Sequence, residues 1–185
     1  SIILYSSGSN TVENNDLSNG IQFTSSSSNN IISNNKISYT GGEDVIKISG
    51  TANSNRFIAN EIYDGSVNGI NVETNGNTFI NNYVHDVAKG FFFSNSDGNN
   101  VEGGTFEGTS TGIYILNSEN NQISGITATQ NVDNSIQLYS SNTNSIDNSN
   151  LNYVYVENSL YNNISGNNGS IELQSSTSNN VINNN

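Results

Sequence analysis

Short apolar alternations recur along the whole chain, and each is followed by a stretch rich in Ser and Asn. Pairs such as Ile2/Leu4 and Ile21/Phe23 place every second side chain on one face, which is the period of a half-buried β-strand. No 3.6-residue apolar stripe persists, and Asn, Ser and Gly are poor residues for helix interiors. The first apolar position of each unit recurs every 17 to 25 residues, at Ile2, Ile21, Ile46, Ile70, Phe91, Ile113, Ile136, Val154 and Ile171.

Two further apolar rows follow the first in each unit. The second row is Val12, Ile32, Phe57, Phe79, Val101, Ile123, Ile146, Ile164 and Val181. The third row comes five residues later in each unit and is Leu17, Ile37, Ile62, Val84, Phe106, Ala128 and Leu151. Three short strands per repeat of roughly 21 residues predict an all-β parallel solenoid of about nine turns, or rungs. We expect residues 1–185 to form this single domain.

Composition alone points the other way, toward disorder. Of 185 residues, 40 are Asn and 30 are Ser, and only 32% are hydrophobic, a content typical of chains that cannot bury a core. The repeat instead assigns the Asn residues to the corners between strands. Asn tolerates the left-handed backbone of a sharp corner, and its amide can bond to an equivalent amide one rung away. We predict such a corner at Asn14/Asn15, Asn34/Asn35, Asn60, Asn81/Asn82, Asn148 and Asn183/Asn184, with Gly103/Gly104 and Gly125 replacing Asn in rungs five and six.

The charge balance excludes several classes of protein. Four Lys and Arg against 16 Asp and Glu give a net charge of -12, so the chain has no basic face with which to neutralise nucleic-acid phosphates. Without Cys it has neither a disulfide framework nor a thiolate zinc site. No run approaches the roughly 18 apolar residues of a membrane span.

The repeat pattern G-I-x-h-x-x-S-x-x-N-x-I-x-x-N-x-h, in which h is apolar, resembles the right-handed parallel β-helix repeat. Proteins with this repeat include pectate-lyase-like enzymes, NosD-like proteins, carbohydrate-binding and sugar-hydrolysis domains, mannuronan epimerases and archaeal surface proteins. The resemblance implies the fold and an extracellular or cell-surface location, but it leaves the function open because this scaffold hosts enzymes and inert stalks alike. Neither end has a polar cap, so we expect flanking repeats or domains, or end-to-end or lateral self-association.

Candidate acid–base chemistry lies beside the third row. Aligning the rungs stacks Tyr63, His85 and Glu107 one step past the apolar residue, and Asp64 and Asp86 two steps past it. We call these five residues the His85 column. A His with a carboxylate and a Tyr nearby can move protons, so a polysaccharide lyase, epimerase or hydrolase is one hypothesis. The sequence Tyr83–Asp86 resembles the active strands of such enzymes, but the same sequence also occurs in noncatalytic repeats of this fold.

The longer rungs suggest loops and a second kind of site. We predict loops at 39–44, 63–68 and 85–89. Glu43, Asp44 and Asp64 offer hard oxygen ligands that suit Ca²⁺. Scattered surface acids explain them better, and we predict no metal or other cofactor.

The outward side of the first-row strands predicts an interaction surface. One outward row contains Lys47, Phe92, Tyr114 and Tyr155, and the neighbouring outward row contains Leu116 and Tyr139. Large apolar patches on a surface usually mark interaction sites. We name Phe92, Tyr114, Leu116, Tyr139 and Tyr155 the aromatic strip, and expect Lys47 and Lys89 to contribute to binding beside it.

The leading hypothesis is therefore an extracellular or cell-surface β-helix module with a structural or adhesive role, which presents a rigid surface to glycan or to neighbouring proteins. The alternative is a polysaccharide-active enzyme that uses the His85 column.

Overall fold

The computed structural model of the protein describes residues 1–131, 133–183 and 185, which form strands, turns and isolated bridges but no helix. Rungs one to three contain β1 (Ile2–Tyr5), β2 (Thr11–Glu13), β3 (Asp16–Leu17), β4 (Ile21–Thr24), β5 (Ile31–Ser33), β6 (Lys36–Ser38), β7 (Ile46–Ile48), β8 (Arg56–Ile58) and β9 (Glu61–Tyr63). Rungs four to six contain β10 (Gly65–Val72), β11 (Thr78–Ile80), β12 (Tyr83–His85), β13 (Val87–Ser94), β14 (Asn100–Glu102), β15 (Thr105–Glu107), β16 (Thr111–Leu116), β17 (Gln122–Ser124) and β18 (Thr127–Gln130). Rungs seven to nine contain β19 (Asn134–Tyr139), β20 (Ser145–Asp147), β21 (Asn150–Glu157), β22 (Asn163–Ser165), β23 (Asn168–Gln174) and β24 (Val181–Asn183).

The strands stack into two parallel sheets, which confirms the predicted all-β solenoid. The second-row strands form a nine-stranded sheet in the order β2-β5-β8-β11-β14-β17-β20-β22-β24. The first-row and third-row strands belong to one 15-stranded sheet because β21 joins them: Leu151 pairs with Ala128 of β18, and Val154 pairs with Ile136 of β19. In the late rungs the third strand of one turn therefore runs directly into the first strand of the next.

The predicted apolar rows are in register with one exception. The first row pairs residue for residue from Ile2 to Ile171. The prediction of Val181 as the second-row residue of the last rung is wrong by one position, because Ile164 pairs with Ile182 and Val181 pairs with Asn163. The last rung has no third-row residue to fix the spacing, and the register there follows Asn180, which bonds to Asn162.

The core is a narrow column of apolar side chains between the two sheets. Its largest members are Phe rings that contact one another both between rungs and within a rung. Phe57 and Phe79 of neighbouring rungs stack with centroids 5.1 Å apart, and Phe91 meets Phe106 of its own rung edge to face at 4.8 Å. Burial of such rings stabilises the fold by about 25 cal/mol per Å² of apolar surface removed from water.

Asparagine ladders line two corners. At the predicted corner, four side-chain amides bond to one another from rung to rung: Asn15, Asn35, Asn60 and Asn82. Asn14, Asn34 and Asn81, each one residue before a ladder residue, adopt a left-handed backbone, and so does Asn148 at the same corner in a later rung. Gly104 ends this ladder, since a Cβ there would lie 2.6 Å from the Asn82 carbonyl oxygen. Asn184 lies outside the described residues. A longer ladder, which the sequence analysis did not identify, precedes the second row and links Asn10, Asn30, Asn55, Asn77, Asn99, Asn121, Asn144, Asn162 and Asn180.

Two of the three predicted loops are wrong. Only the first lies outside the strands; residues 65–68 and 87–89 belong to the long strands β10 and β13. Asp64 and Asp86 make the bend in a single left-handed residue each, with φ of 53° and 52°, so the chain returns to an extended conformation at once.

Candidate functional site

Three residues of the His85 column, Tyr63, His85 and Glu107, are in register on neighbouring third-row strands, as the alignment of the rungs predicted. His85 pairs with Glu107 in the next rung, and its ring stacks on Tyr63 of the previous rung with centroids 5.4 Å apart and planes 7° apart. The ring of Tyr83, which the sequence analysis did not consider, also stacks on the imidazole, with centroids 4.4 Å apart. The imidazole therefore contacts two phenol rings and is only 17% exposed.

Both ring nitrogens of His85 face carboxylates. Nδ1 lies 2.7 Å from Asp86 Oδ2, and Nε2 lies 3.5 Å from Glu61 Oε1, beyond a normal hydrogen-bond distance. Nε2 is buried and has no hydrogen-bond partner. The Lys36 ammonium also donates a hydrogen bond to Glu61 Oε2, in an ion pair of 2.8 Å. This hydrogen bond is the main cause of the lowered pKa of Glu61 and of the raised pKa of Lys36. Nε2, the nitrogen not engaged by Asp86 and therefore the one available to take a proton from a substrate, is thus buried and faces a carboxylate.

Glu107 is occupied by a neighbouring phenol. Tyr83 donates its hydroxyl to the Glu107 carboxylate, and this hydrogen bond raises the pKa of Tyr83 to about 12. Tyr83 precedes the third-row residue Val84 and pairs with Glu61 on one side and Thr105 on the other. Strand alternation in the sequence was the available signal for placing Tyr83 on the same outward face as the column.

Asp64 and Asp86 form the bend at the corner that follows the third-row strands. Each is the left-handed residue that ends its third-row strand, and Gly108 with φ of 64° occupies the same position one rung later. The Asp86 side chain is 65% exposed. The acids suggested for Ca²⁺, Glu43, Asp44 and Asp64, form no metal-binding cluster of three acidic residues within the described part of the chain.

The aromatic strip is in register across rungs five to eight. Phe92 pairs with Tyr114, Tyr114 with Gln137, and Gln137 with Tyr155 along one outward row. Leu116 pairs with Tyr139 in the neighbouring row. All five side chains of the strip are half-buried. They lie along the sheet at the rung spacing of about 4.8 Å and form a continuous surface.

Lys89 lies over the first two rings of the strip. Its ammonium is 5.6 Å from the Phe92 centroid and 6.0 Å from the Tyr114 centroid, and the two rings are 5.4 Å apart with a tilt of 33°. These distances are within the range of cation–π attraction. The pKa of Tyr114 is raised mainly by its burial in the strip.

The far end of the strip is polar. The Tyr155 hydroxyl lies 2.9 Å from both Glu157 Oε2 and Gln174 Oε1, and the Glu157 hydrogen bond is the main cause of a raised Tyr155 pKa. Hydroxyl, amide and carboxylate groups thus border the apolar surface at rungs eight and nine, where they can bond to a polar ligand.

The near end of the strip is also polar and contains residues that the sequence analysis did not identify as functional. Asn71 pairs with Phe92 on one side and Lys47 on the other. Lys47 forms a 3.4 Å ion pair with Glu73, and Asp44 accepts hydrogen bonds from Asn68 and Asn71. Both carboxylate oxygens of Asp44 therefore accept from amide nitrogens, Oδ1 from Asn68 Nδ2 and Oδ2 from Asn71 Nδ2.

Two concavities flank Asp44 at this end of the face. One, of about 290 Å³, is lined by Asn19, Gln22, Tyr39 and Asp44 among others, and the other, of about 340 Å³, by Gln22, Glu43, Asp44, Lys47 and Val67 among others. His85 lines neither of them. The 39–44 loop forms the shared wall, because Asp44 belongs to both.

A sequence model of the family described as "Right handed beta helix region" matches residues 1–110. No curated protein sequence matches the chain. Within the described residues we find no helix that is long and apolar enough to span a membrane.

Solved structures with a similar fold have 12–14% sequence identity to this chain. The A-module of the Azotobacter vinelandii mannuronan C-5 epimerase AlgE4 is similar over 98% of this chain and 86% of its own, with 12% identity and a TM-score of 0.60. The periplasmic alginate epimerase AlgG is similar over 98% and 46%, with 14% identity and a TM-score of 0.58. The enzymatically active domain of bacteriophage CBA120 tailspike protein 2 is similar over 97% and 37%, with 14% identity and a TM-score of 0.57. At such identities the likeness concerns the fold alone.

Proposed function

Because the chain belongs to the right-handed β-helix family, we propose that it is a glycan-binding module that acts outside the cell or at its surface, with an adhesive or structural role. The glycan would run along the first-row face, parallel to the stack of rungs. The observation that carries this proposal is the aromatic strip: five half-buried apolar or aromatic side chains in register on one open face.

Sugar rings have apolar faces and polar edges, and the strip matches both. Phe92 and Tyr114 offer ring faces on which an apolar sugar face can pack. Asn71 and Gln137, in the same outward row, and Glu157, in the next, border the rings with groups that bond to hydroxyls. Two of the similar structures are named as epimerases of mannuronan or alginate, one of them periplasmic, which supports a glycan partner and a location beyond the cytoplasm.

The net charge of -12 favours an uncharged glycan over an acidic one. Lys89 is the cation that lies over the strip itself, above the Phe92 and Tyr114 rings. From this position it would contact the side of a sugar bound on those rings. We therefore expect neutral oligosaccharides to bind more tightly than uronates of the same length.

The competing function is a polysaccharide lyase, epimerase or hydrolase at the His85 column. The 2.7 Å contact between His85 and Asp86 and the epimerase names favour it. The buried Nε2, turned toward Glu61, counts against it, because a general base needs a nitrogen within reach of the substrate proton.

One experiment separates the two functions. The protein is applied to a panel of neutral and uronate oligosaccharides, with binding measured by calorimetry and products by chromatography. Tyr114→Ala and Phe92→Ala should each weaken binding at least about tenfold, or about 1.4 kcal/mol, without any product forming in the wild type. Tyr161→Ala, which removes an aromatic side chain of a residue that is 60% exposed and outside the strip, should bind like the wild type. Product formation that disappears in His85→Ala would overturn the proposal in favour of the enzyme, and unchanged binding in both strip variants would overturn the strip as the site.

A further inference from the structure

Two outward rows of the first-row strands carry the aromatic strip, and both pair residue for residue from rung five to rung eight. Row A contains Phe92, Tyr114, Gln137 and Tyr155. Row B contains Ser94, Leu116, Tyr139 and Glu157. The two rows lie two positions apart on each strand, or about 7 Å, and successive rungs are about 4.8 Å apart. The strip is therefore a straight surface that is about one sugar ring wide and four rungs long.

Each rung of the strip adds an apolar contact, and in two rungs the polar neighbour changes side. In rung seven the ring of Tyr139 lies in row B and the amide of Gln137 lies in row A. In rung eight the order is reversed, with Tyr155 in row A and Glu157 in row B. Rung five has the same order as rung eight, so the reversal belongs to the step between rungs seven and eight. Hydrogen-bonding groups thus lie on opposite sides of the surface in these two consecutive rungs.

Polar residues border the strip in rungs four and nine. Asn71 of rung four pairs with Phe92, and its amide nitrogen is already hydrogen-bonded to Asp44. At the other end, Glu172 of rung nine pairs with Tyr155. The apolar surface that these rows offer to a ligand is therefore that of rungs five to eight.

We propose that the strip takes a linear, neutral, β-1,4-linked glycan in its extended form, with one pyranose ring on each rung. This inference rests on the proposed glycan-binding function. Such a chain advances per ring by close to the rung spacing of about 4.8 Å, so its rings stay in step with the side chains below them. Consecutive rings are turned over, which places their hydroxyls on opposite sides, as Gln137 and Glu157 are placed. An α-1,4-linked chain curves and leaves a straight surface after few rings.

The affinity should depend on the number of rings, because each ring contacts its own rung. The loss of translational and rotational freedom occurs once per ligand, whatever its length. Each further ring then adds the contacts of one more rung until rungs five to eight are covered. Beyond them lie Asn71 and Glu172, whose side chains end in an amide and a carboxylate. Four rings thus complete the contact with the strip.

The test is calorimetric titration of the full chain with neutral oligosaccharides of one to eight rings. Cello-oligosaccharides and β-1,4-linked manno-oligosaccharides are the extended ligands, and malto-oligosaccharides, which are α-1,4-linked, are the comparison. We expect affinity that rises at least about fivefold with each ring up to four and less than about twofold per ring beyond five. At least one of the β-1,4-linked tetramers should bind at least about tenfold more tightly than maltotetraose.

Two variants locate the rings on the rungs. Tyr155→Ala removes the contact of rung eight, so it should lower the affinity for the tetramer to about that of the trimer. The same variant should change the affinity for the trimer by less than about twofold, because a trimer still fits on rungs five to seven. Tyr114→Ala, in rung six, should weaken the binding of trimer and tetramer alike. Tyr5→Ala removes an aromatic side chain of rung one that is 72% exposed and outside the strip, and should bind every oligosaccharide like the wild type.

The outcomes separate this inference from the function on which it rests. If no oligosaccharide binds, glycan binding itself is overturned and the inference with it. If glycans bind but single rings bind as tightly as tetramers, or malto-oligosaccharides bind as tightly as both β-linked series, glycan binding stands and the one-ring-per-rung arrangement is overturned. Equal losses of trimer and tetramer affinity in Tyr155→Ala also overturn that arrangement. The length series uses wild-type protein alone, so a variant that fails to fold does not affect it.

Discussion

At the scale of single residues, asparagine does two different things in this molecule. Asn99 Oδ1 accepts from the backbone N–H of Asn77 at 2.9 Å, and Asn121 Oδ1 accepts from both nitrogens of Asn99 at 2.9 and 3.1 Å. Asn100, the next residue in the chain, points outward from β14 and makes none of these bonds. Chemically identical neighbours are therefore expected to differ widely in their contribution to stability.

We predict that Asn99→Ala lowers the free energy of unfolding by about 2–4 kcal/mol, because it leaves a buried backbone N–H of Asn77 without an acceptor and breaks the ladder. Asn100→Ala should change it by less than about 0.5 kcal/mol. Urea unfolding followed by circular dichroism measures both. Equal losses in the two variants would mean that the ladder contributes nothing beyond side-chain volume.

Residue type alone predicted the corner but not which amides are satisfied. Asn tolerance of the left-handed backbone was enough to place Asn14 and Asn34, which have φ of 57° and 54°. The amide nitrogens of Asn68 and Asn71 are satisfied by Asp44, 24 and 27 residues away in the chain, and this contact depends on the path of a loop whose length no repeat dictates.

At the scale of elements, the strands bring side chains into columns and the columns couple charges between rungs. Alternation and spacing predicted that Tyr63, His85 and Glu107 share one column. They did not predict that the Tyr83 hydroxyl donates to Glu107 or that the His85 ring also stacks on Tyr83, because side-chain rotamers depend on packing that one strand does not determine. The site therefore was predictable as a set of neighbours and not as an arrangement of donors and acceptors.

The Tyr83–Glu107 contact gives a prediction for alkaline pH. Folding raises the pKa of Tyr83 from the ordinary 10.0 to about 12, chiefly through the Glu107 hydrogen bond and then through burial. A phenol whose pKa is raised by folding adds stability that is fully present below pH 10 and lost as the pH rises through about 12. Tyr83→Phe should cost about 1 kcal/mol at pH 8 and should lose less stability than the wild type between pH 10 and 12.

Urea unfolding at pH 8, 10, 11 and 12 measures this difference. Tyr161→Phe, which removes the hydroxyl of a residue that is 60% exposed, is the matched control and should follow the wild type. If Tyr83→Phe and wild type lose stability in parallel above pH 10, the Glu107 contact is absent in solution.

At the scale of the whole molecule, each rung is a nearly interchangeable unit that contacts its two neighbours. The repeat predicted this much, because the backbone register of one rung is copied in the next: Asn100 pairs with Gln122, and Asn99 bonds to Asn121, 22 residues later. The stability of such a stack is close to the sum of rung and interface contributions. Function then depends on which rungs carry the strip, and deletion can separate function from fold.

We predict that deletion of residues 100–121 gives a folded protein that has lost its glycan binding. Asn99 then joins Gln122, which takes the position of Asn100 on β11, and the second-row sheet keeps its register. The deletion removes Tyr114 and Leu116 from the strip and the Phe106 ring from the core, so it should lower stability without abolishing the cooperative β-sheet signal in circular dichroism. Deletion of residues 100–110, half a rung, is the control: it places first-row residues against the second-row sheet and should not fold. A half-rung variant as stable as the full-rung variant would show that neighbouring rungs do not need matching strands, and would remove the basis for describing this chain as a stack of equivalent turns.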